Sequence, residues 1–310
     1  MCVANSLGKL QTLKIERCFG MEEVIQDSQV LEFSEMTEKK QISNVTVPER
    51  RGGTSISNFE ELFEYSGYNL STLKFLHLSK LTELRVIWSG PIQDEHFQNL
   101  SRLVVQNCRR LRYIFSPTIA RNFPQLLSLD IFDCEELEQI IEKDQIPSQH
   151  HLQPICFAKL SCIRIFNCEN LKCPFPITLA HGGLPKLSQL YLKRVTKLGQ
   201  VFEGDESNVS KDEEKVIHLP RLTHLVLHNL PNLVSFSPVG YHFVFPSLTY
   251  LQVKGYPNVT TRFSVDSEKS VHAKTQVSQS VDEIIVEESA TAQETAWPIG
   301  SDIWWRKRKY

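Results

Sequence analysis

Cysteine, histidine and paired glutamates are the residues of this chain whose chemistry could go beyond packing. Four of its eight cysteines, Cys156, Cys162, Cys168 and Cys173, lie close together in sequence. Four thiolates can hold zinc, but structural zinc sites are built on short C-x-x-C pairs, and none occurs here. His150-His151 could ligate a metal, yet adjacent histidines in a polar loop more often face water. Glu22-Glu23 and Glu135-Glu136 are paired carboxylates of the kind that general acid–base catalysis uses. Both pairs fall in solvent positions of the pattern described next. The G-x-x-x-x-G-K-[ST] phosphate loop, H-E-x-x-H, G-x-S-x-G and the EF-hand loop are all absent. No catalytic residue, cofactor or metal ligand is expected, and the chain does not read as an enzyme.

The positions that matter are set by a repeat. Leu126 to Leu137 reads L-x-x-L-x-I-x-x-C-x-x-L, and the same template starts at Leu10, Leu73, Leu100, Leu160, Leu187, Leu222 and Leu248. Slot four is always Leu or Ile, from Leu13 through Leu129 to Leu251, and slot six is always Ile, Leu or Val. Eight aligned copies are the signature of a leucine-rich repeat. In L-x-L both apolar residues point to one face of a strand and the residue between them to the other. A lone strand cannot bury its own leucines, whereas stacked copies bury them against one another. The expected fold is an α/β repeat solenoid. It carries a parallel β-ribbon on the concave face and short helices or loops on the convex face. Cys18, Cys108, Cys134 and Cys168 share slot nine with Leu81, Val195, Leu230 and Tyr256. A slot that accepts all four residue types is a packing slot, so these are read as reduced, buried thiols.

The solenoid is expected over residues 1–263, with a charged insert near 26–58 that has little to bury. Asn58 to Phe63 restores apolar content and fits part of a degenerate repeat. Ser116-Pro117 and the Phe175-Pro176 stretch each predict a short outer helix. Polar inserts follow copies four and six at the same point of the repeat and emerge from one side. From 264 to 310 the composition predicts a mostly disordered polar tail, with a strand candidate at Val281 to Glu287. It closes on the basic, aromatic Trp304 to Tyr310, read as a solvated end packing on the last repeat. Net charge is −2, which excludes a strong general attraction to nucleic acid or acidic membrane. Met1 to Lys9 lacks the apolar run of a leader, and no stretch is long and apolar enough to span a bilayer. A cytoplasmic chain is expected, with nuclear import through the basic end as the alternative, and the five N-x-S/T sequons read as incidental. No polar cap precedes Leu10, which points to a piece or a truncated form of a longer chain.

What remains is a surface. Slots three, five, seven and eight of each copy point away from the core. Phe75, Phe132, Phe166, Tyr191 and Tyr250 fall there. Around them lie Asp130, Asp133, Arg164, Lys193, Arg194, His228 and Lys254. Aromatics ringed by mixed charge are the pattern of a protein-binding patch.

The copies resemble the C-terminal leucine-rich repeats of plant intracellular immune receptors of the coiled-coil, nucleotide-binding class. The resemblance rests on Leu126 to Ile141, a Glu-rich C-x-x-L-x-x-I-I run. It rests also on Leu222 to Phe236, with its L-x-x-L-x-L-x-x-L-P-N-L, and on Leu111 to Pro117. It covers residues 7–263. It implies a recognition module in plant defence that senses pathogen effectors, or guarded host proteins, through the concave face. It also implies contact with the nucleotide-binding domain of a receptor. This chain contains neither that domain nor a coiled coil. The alternative is a repeat adaptor that recruits substrates to a ubiquitin ligase, although Met1 to Lys9 shows no docking helix.

Overall fold

The computed structural model describes residues 11–16, 23–26, 71–89, 97–121, 123–143, 154–204, 214–255, 260–275, 295–296 and 303–306. The first strands are β1 (Thr12–Glu16), β2 (Glu23–Gln26), β3 (Phe75–Ser79), β4 (Val86–Ser89), β5 (Arg102–Gln106), β6 (Tyr113–Phe115), β7 (Ser128–Phe132) and β8 (Gln139–Ile141). Then come β9 (Cys162–Phe166), β10 (Phe175–Pro176), β11 (Gln189–Lys193), β12 (Phe202–Glu203), β13 (Lys215–His218), β14 (His224–His228), β15 (Tyr241–Phe245) and β16 (Tyr250–Lys254). The last are β17 (Thr261–Val265), β18 (Val271–Thr275), β19 (Thr295–Ala296) and β20 (Ile303–Arg306). Two helices, α1 (Pro117–Ala120) and α2 (Ile177–Ala180), complete the described set.

Each of the eight template copies supplies one strand of a single sheet, ordered β1-β3-β5-β7-β9-β11-β14-β16-β20. The eight pair in parallel, and like slots face like slots: Leu76 beside Leu103, Leu103 beside Leu129, Leu129 beside Ile163. The expected ribbon is therefore present. β1 pairs directly with β3, so no strand from the intervening segment enters the ribbon between them. Residues 27–58, and Asn58 to Phe63 with them, lie outside the described residues.

Register follows from burial. Leu126, Leu129, Ile131, Cys134 and Leu137 are at most 1% exposed, and the same slots of the copies from Leu73 to Leu222, with Leu248, Leu251 and Val253 of the last copy, are equally closed. Slipping one residue would turn each strand's leucines to water, at about 1.5–3 kcal/mol per side chain. A second column was not read from the sequence. Phe97, Phe123, Phe157, Leu184, Leu219 and Phe245 stand three residues before the leading leucines from Leu100 onward, all buried. Their carbonyls accept the N–H of that leucine, closing a tight turn. The rings stack on one another and on Trp88, whose indole N–H donates to the Ile114 carbonyl at 2.6 Å. The F-x-x-L spacing was the available signal.

Two further devices fix the stack. Slot eight is left-handed in every described copy from the second on: Lys80, Asn107, Asp133, Asn167, Arg194, Asn229 and Gly255 all have positive φ. The turn sends slot nine into the core, and the slot-eight N–H of the six residues before Gly255 donates to the slot-seven carbonyl of the next copy. Asn, Asp and Gly accept that conformation most readily, which explains their enrichment there. Slot two carries the second device. The hydroxyls of Ser101, Ser161, Ser188, Thr223 and Thr249 each donate to the slot-two carbonyl of the copy before.

Behind the ribbon both expected short helices are present, and most of the rest of this layer is short strands. Three parallel pairs (β2 with β4, β6 with β8, β10 with β12) and the five-stranded sheet β13-β15-β18-β17-β19 make up this layer. Segments such as Tyr113-Ile114-Phe115 and Gln139-Ile140-Ile141 are β-branched or aromatic and too short to nucleate a helix. Both expected helices are single four-residue elements. In α1 the Ser116 hydroxyl accepts the Ile119 N–H at 3.4 Å, with Pro117 opening the helix. Strand structure also runs past the boundary drawn at 263. Phe263, Val271 and Ala273 are buried in β17 and β18, which end at Thr275. Their two-residue alternation is a strand signal that the polar composition of the tail concealed. From the basic, aromatic end, β20 pairs antiparallel with β16 and closes the ribbon edge. Val281 to Glu287 lies outside the described residues.

Truncation at the centre of the ribbon tests this packing. Leu129→Ala should lower the unfolding free energy by about 3 kcal/mol in urea titration. A loss below about 1 kcal/mol would mean the leucines do not share one core.

Candidate protein-interaction face

On the open side of the ribbon, register sets three rows of side chains running across the strands. Slot seven runs Gln106, Phe132, Phe166, Lys193, His228, Lys254. Slot five runs Val104, Asp130, Arg164, Tyr191, Val226, Gln252, and slot three runs Arg102, Ser128, Cys162, Gln189, His224, Tyr250, with Phe75 before it on β3.

At the centre is Asp130. Its side chain has no exposure, which corrects its place in the expected contact ring. It is enclosed by the guanidiniums on the two neighbouring strands. Arg164 donates through Nε at 2.6 Å and Nη2 at 3.0 Å, and Arg102 through Nε and Nη2, both at 3.0 Å. The Ser128 hydroxyl adds a third partner group at 3.2 Å. A carboxylate between two arginines loses its water only because both sides supply charge-assisted donors. The hydrogen bond to Asp130 is also what raises the pKa of Arg164 above its ordinary value, against a smaller opposing effect of burial. Arg102 was not singled out from the sequence. The signal was an arginine in slot three beside an aspartate in slot five of the next copy.

Beside this clamp the aromatic residues meet. The Phe132 and Phe166 rings lie 5.3 Å apart, centroid to centroid, on adjacent strands. The Lys193 ammonium sits 5.4 Å from the Phe166 centroid and 6.0 Å from that of Tyr191. Burial raises the Tyr191 phenol, with Cys162 adding to that and Arg164 opposing it. Phe132, Phe166, Tyr191, Arg164 and Lys193 thus form one contiguous patch on β7, β9 and β11. Phe75 joins it through Arg102, whose guanidinium lies 5.5 Å from its ring. Tyr250 and His228 stand at the far end. Tyr250 stacks on His224 at 5.7 Å and donates to Gln252, and His228 sits between Lys193 and Lys254 in register.

The cysteines divide by slot. Cys108, Cys134 and Cys168 are fully buried, and each thiol donates to the slot-seven carbonyl of its own copy. Burial raises the Cys108 thiol far above its ordinary value. Cys134 is raised first by its hydrogen bond with Cys168 and then by burial. The Cys108 and Cys134 thiols therefore stay protonated and inert. Cys156 is exposed, Cys162 and Cys173 are intermediate, and burial pushes Cys173 up to about 12. Among the described residues no three His, Cys, Asp or Glu side chains converge as a metal site. Glu135 and Glu136 are exposed, with Glu135 paired to Arg109 at 3.3 Å, and His150-His151 lies outside the described residues.

This combination of slots, left-handed turn and open ribbon has a counterpart among known sequences. A family model of plant disease resistance protein RPS2-like leucine-rich repeats matches residues 1–135 and 136–280. The chain belongs to that family. These resistance-type repeats, like the solenoid fold they build, are typically non-catalytic protein-interaction modules. No curated protein and no solved structure matched the chain in the same comparisons. No helix among the described residues is long and apolar enough to cross a membrane.

One titratable cluster lies away from the ribbon face. His242 Nε2 is 2.8 Å from His272 Nδ1, and His272 Nε2 is 2.9 Å from Asp266. Burial lowers the pKa of His242, aided by His272, Lys274 and His218 and opposed by Glu214. At Asp266 burial acts upward, but the His272 hydrogen bond and the Ser270 N–H outweigh it, so the carboxyl is lowered. A lowered histidine contributes stability that is present above its unfolded value of 6.5 and lost as pH falls from there through the lower folded value. The Asp266 contribution is lost only at more acid pH, below 3.8. The urea midpoint should therefore fall between about pH 7.5 and pH 5.5, and His242→Gln should flatten that slope. An unchanged slope in the variant would place the titration elsewhere.

The clamp has its own test. Asp130→Asn should cost about 1–2 kcal/mol, because the arginines are half exposed and turn to water when the charge is gone. A neutral result in urea titration would mean the guanidiniums are not held by Asp130.

Proposed function

We propose that this chain is the recognition surface of a plant immune receptor. It is a non-enzymatic module that works in the cytoplasm and binds a pathogen effector, or a host protein guarded by the receptor, on the open face of its ribbon. The observation that carries this reading is the paired Phe132 and Phe166 rings on the side of the ribbon away from the core. Aromatic side chains kept on an open strand face, flanked by Arg164 and Lys193, have the composition of interface hot spots. Family membership supports the defence setting. The same face, or the inserts beside it, offers the surface on which a receptor's nucleotide-binding domain would rest. A ligand that favours one of two arrangements of that contact shifts the receptor between states.

Phe132→Ala combined with Phe166→Ala tests the assignment. Captures from infected plant tissue with wild-type and double-variant chains would be compared by quantitative mass spectrometry, with circular dichroism on both. Proteins held by the wild type should drop about tenfold or more with the variant, while the spectrum is unchanged. Equal capture by a folded variant rules this face out, and a collapsed spectrum shows the rings to be core.

A further inference from the structure

We infer that the segment received by the open face is acidic, an extended protein stretch with carboxylates spaced by apolar side chains. This rests on the recognition reading above and names the chemistry of its ligand. On slots three, five and seven from β3 to β16, the cations are Arg102, Arg164, Lys193 and Lys254, and the one carboxylate is Asp130. Asp130 is buried and already neutralised, so what the face shows to a partner is positive. The chain as a whole is −2, so this face is a local exception to an acidic background.

The arginines are also set in advance. Asp130 engages Nε and Nη2 of each guanidinium, so its contacts take one edge of each fork. The two side chains remain 50% and 37% exposed. A fork whose orientation is fixed loses less entropy when it takes a carboxylate. Cations and rings alternate across the strands: Arg102 over Phe75, then Arg164, then Lys193 over Phe166 and Tyr191. Neighbouring strands are about 4.8 Å apart, so an extended segment crossing them meets a cation and a ring in turn. Nucleic acid fits less well. A phosphate chain needs an unbroken cationic track, and here rings interrupt the cations.

The test uses the full chain and fluorescent copolymers read by anisotropy: glutamate–tyrosine, lysine–tyrosine and polyuridylate. The glutamate–tyrosine polymer should bind, and its Kd should rise about tenfold in Lys193→Glu. Lys193 makes no ion pair in the described structure, so the variant should keep its circular-dichroism spectrum. Raising salt from about 50 to about 300 mM should weaken binding about fivefold. Equal affinity for lysine–tyrosine, tighter binding of polyuridylate, or no effect of Lys193→Glu each overturns the acidic assignment. If that happens while the Phe132 and Phe166 double variant still loses its captured proteins, the face remains a recognition surface of other chemistry. If the double variant loses nothing, the recognition reading falls as well.

Discussion

One constraint governs this protein: no turn of the chain can bury its own leucines. A single L-x-x-L-x-L strand has apolar side chains on one face and nothing to cover them. Each strand of the ribbon is closed by the strands before and after it, so the core exists only as a property of the stack. Register, spacing and the absence of a compact centre all follow. So does the free face, because alternation along a strand sends every residue that is not core to the opposite side.

The supporting devices all serve that constraint. The left-handed residue in slot eight turns the chain into the core and carries one hydrogen bond to the next copy. The slot-two hydroxyls tie each turn to the one before. At slot eight a side-chain ladder also forms, with Asn167 donating to Asp133 at 2.6 Å and Arg194 donating to Asn167 at 2.7 Å. Asp130 extends the same logic to the open face, where a buried charge is tolerated because adjacent copies place an arginine on each side of it. It holds the guanidiniums of Arg102 and Arg164 in place on the open face.

The ribbon was legible because its signal is repetition: eight leading leucines define eight strands in the same register. The thiols of slot nine were legible for the same reason, since Cys108, Cys134 and Cys168 alternate with Leu81 and Val195 in one packing position. The rear layer was not. Its segments are two to five residues long, and short apolar runs do not distinguish strand from helix by period. Asp130 was misplaced because slot five normally faces solvent, and only the arginines on both neighbouring strands enclose it. The strands of 261–275 were hidden by arginine, serine, histidine and lysine on their outward side. The column three residues before the leading leucines was visible as F-x-x-L at Phe97, Phe123, Phe157 and Phe245 but lies outside the twelve-residue template.

The claim that stands at the centre is that stacking leaves one face free and that this face is where a partner lands. The most direct measurement places a photo-activated benzoylphenylalanine at position 132 and, separately, at 239, an exposed position away from the ribbon. Both chains are irradiated in extract from infected tissue. Covalent adducts to a partner protein should form from 132 and not from 239. Adducts from 239 alone, or equally from both, would contradict the account.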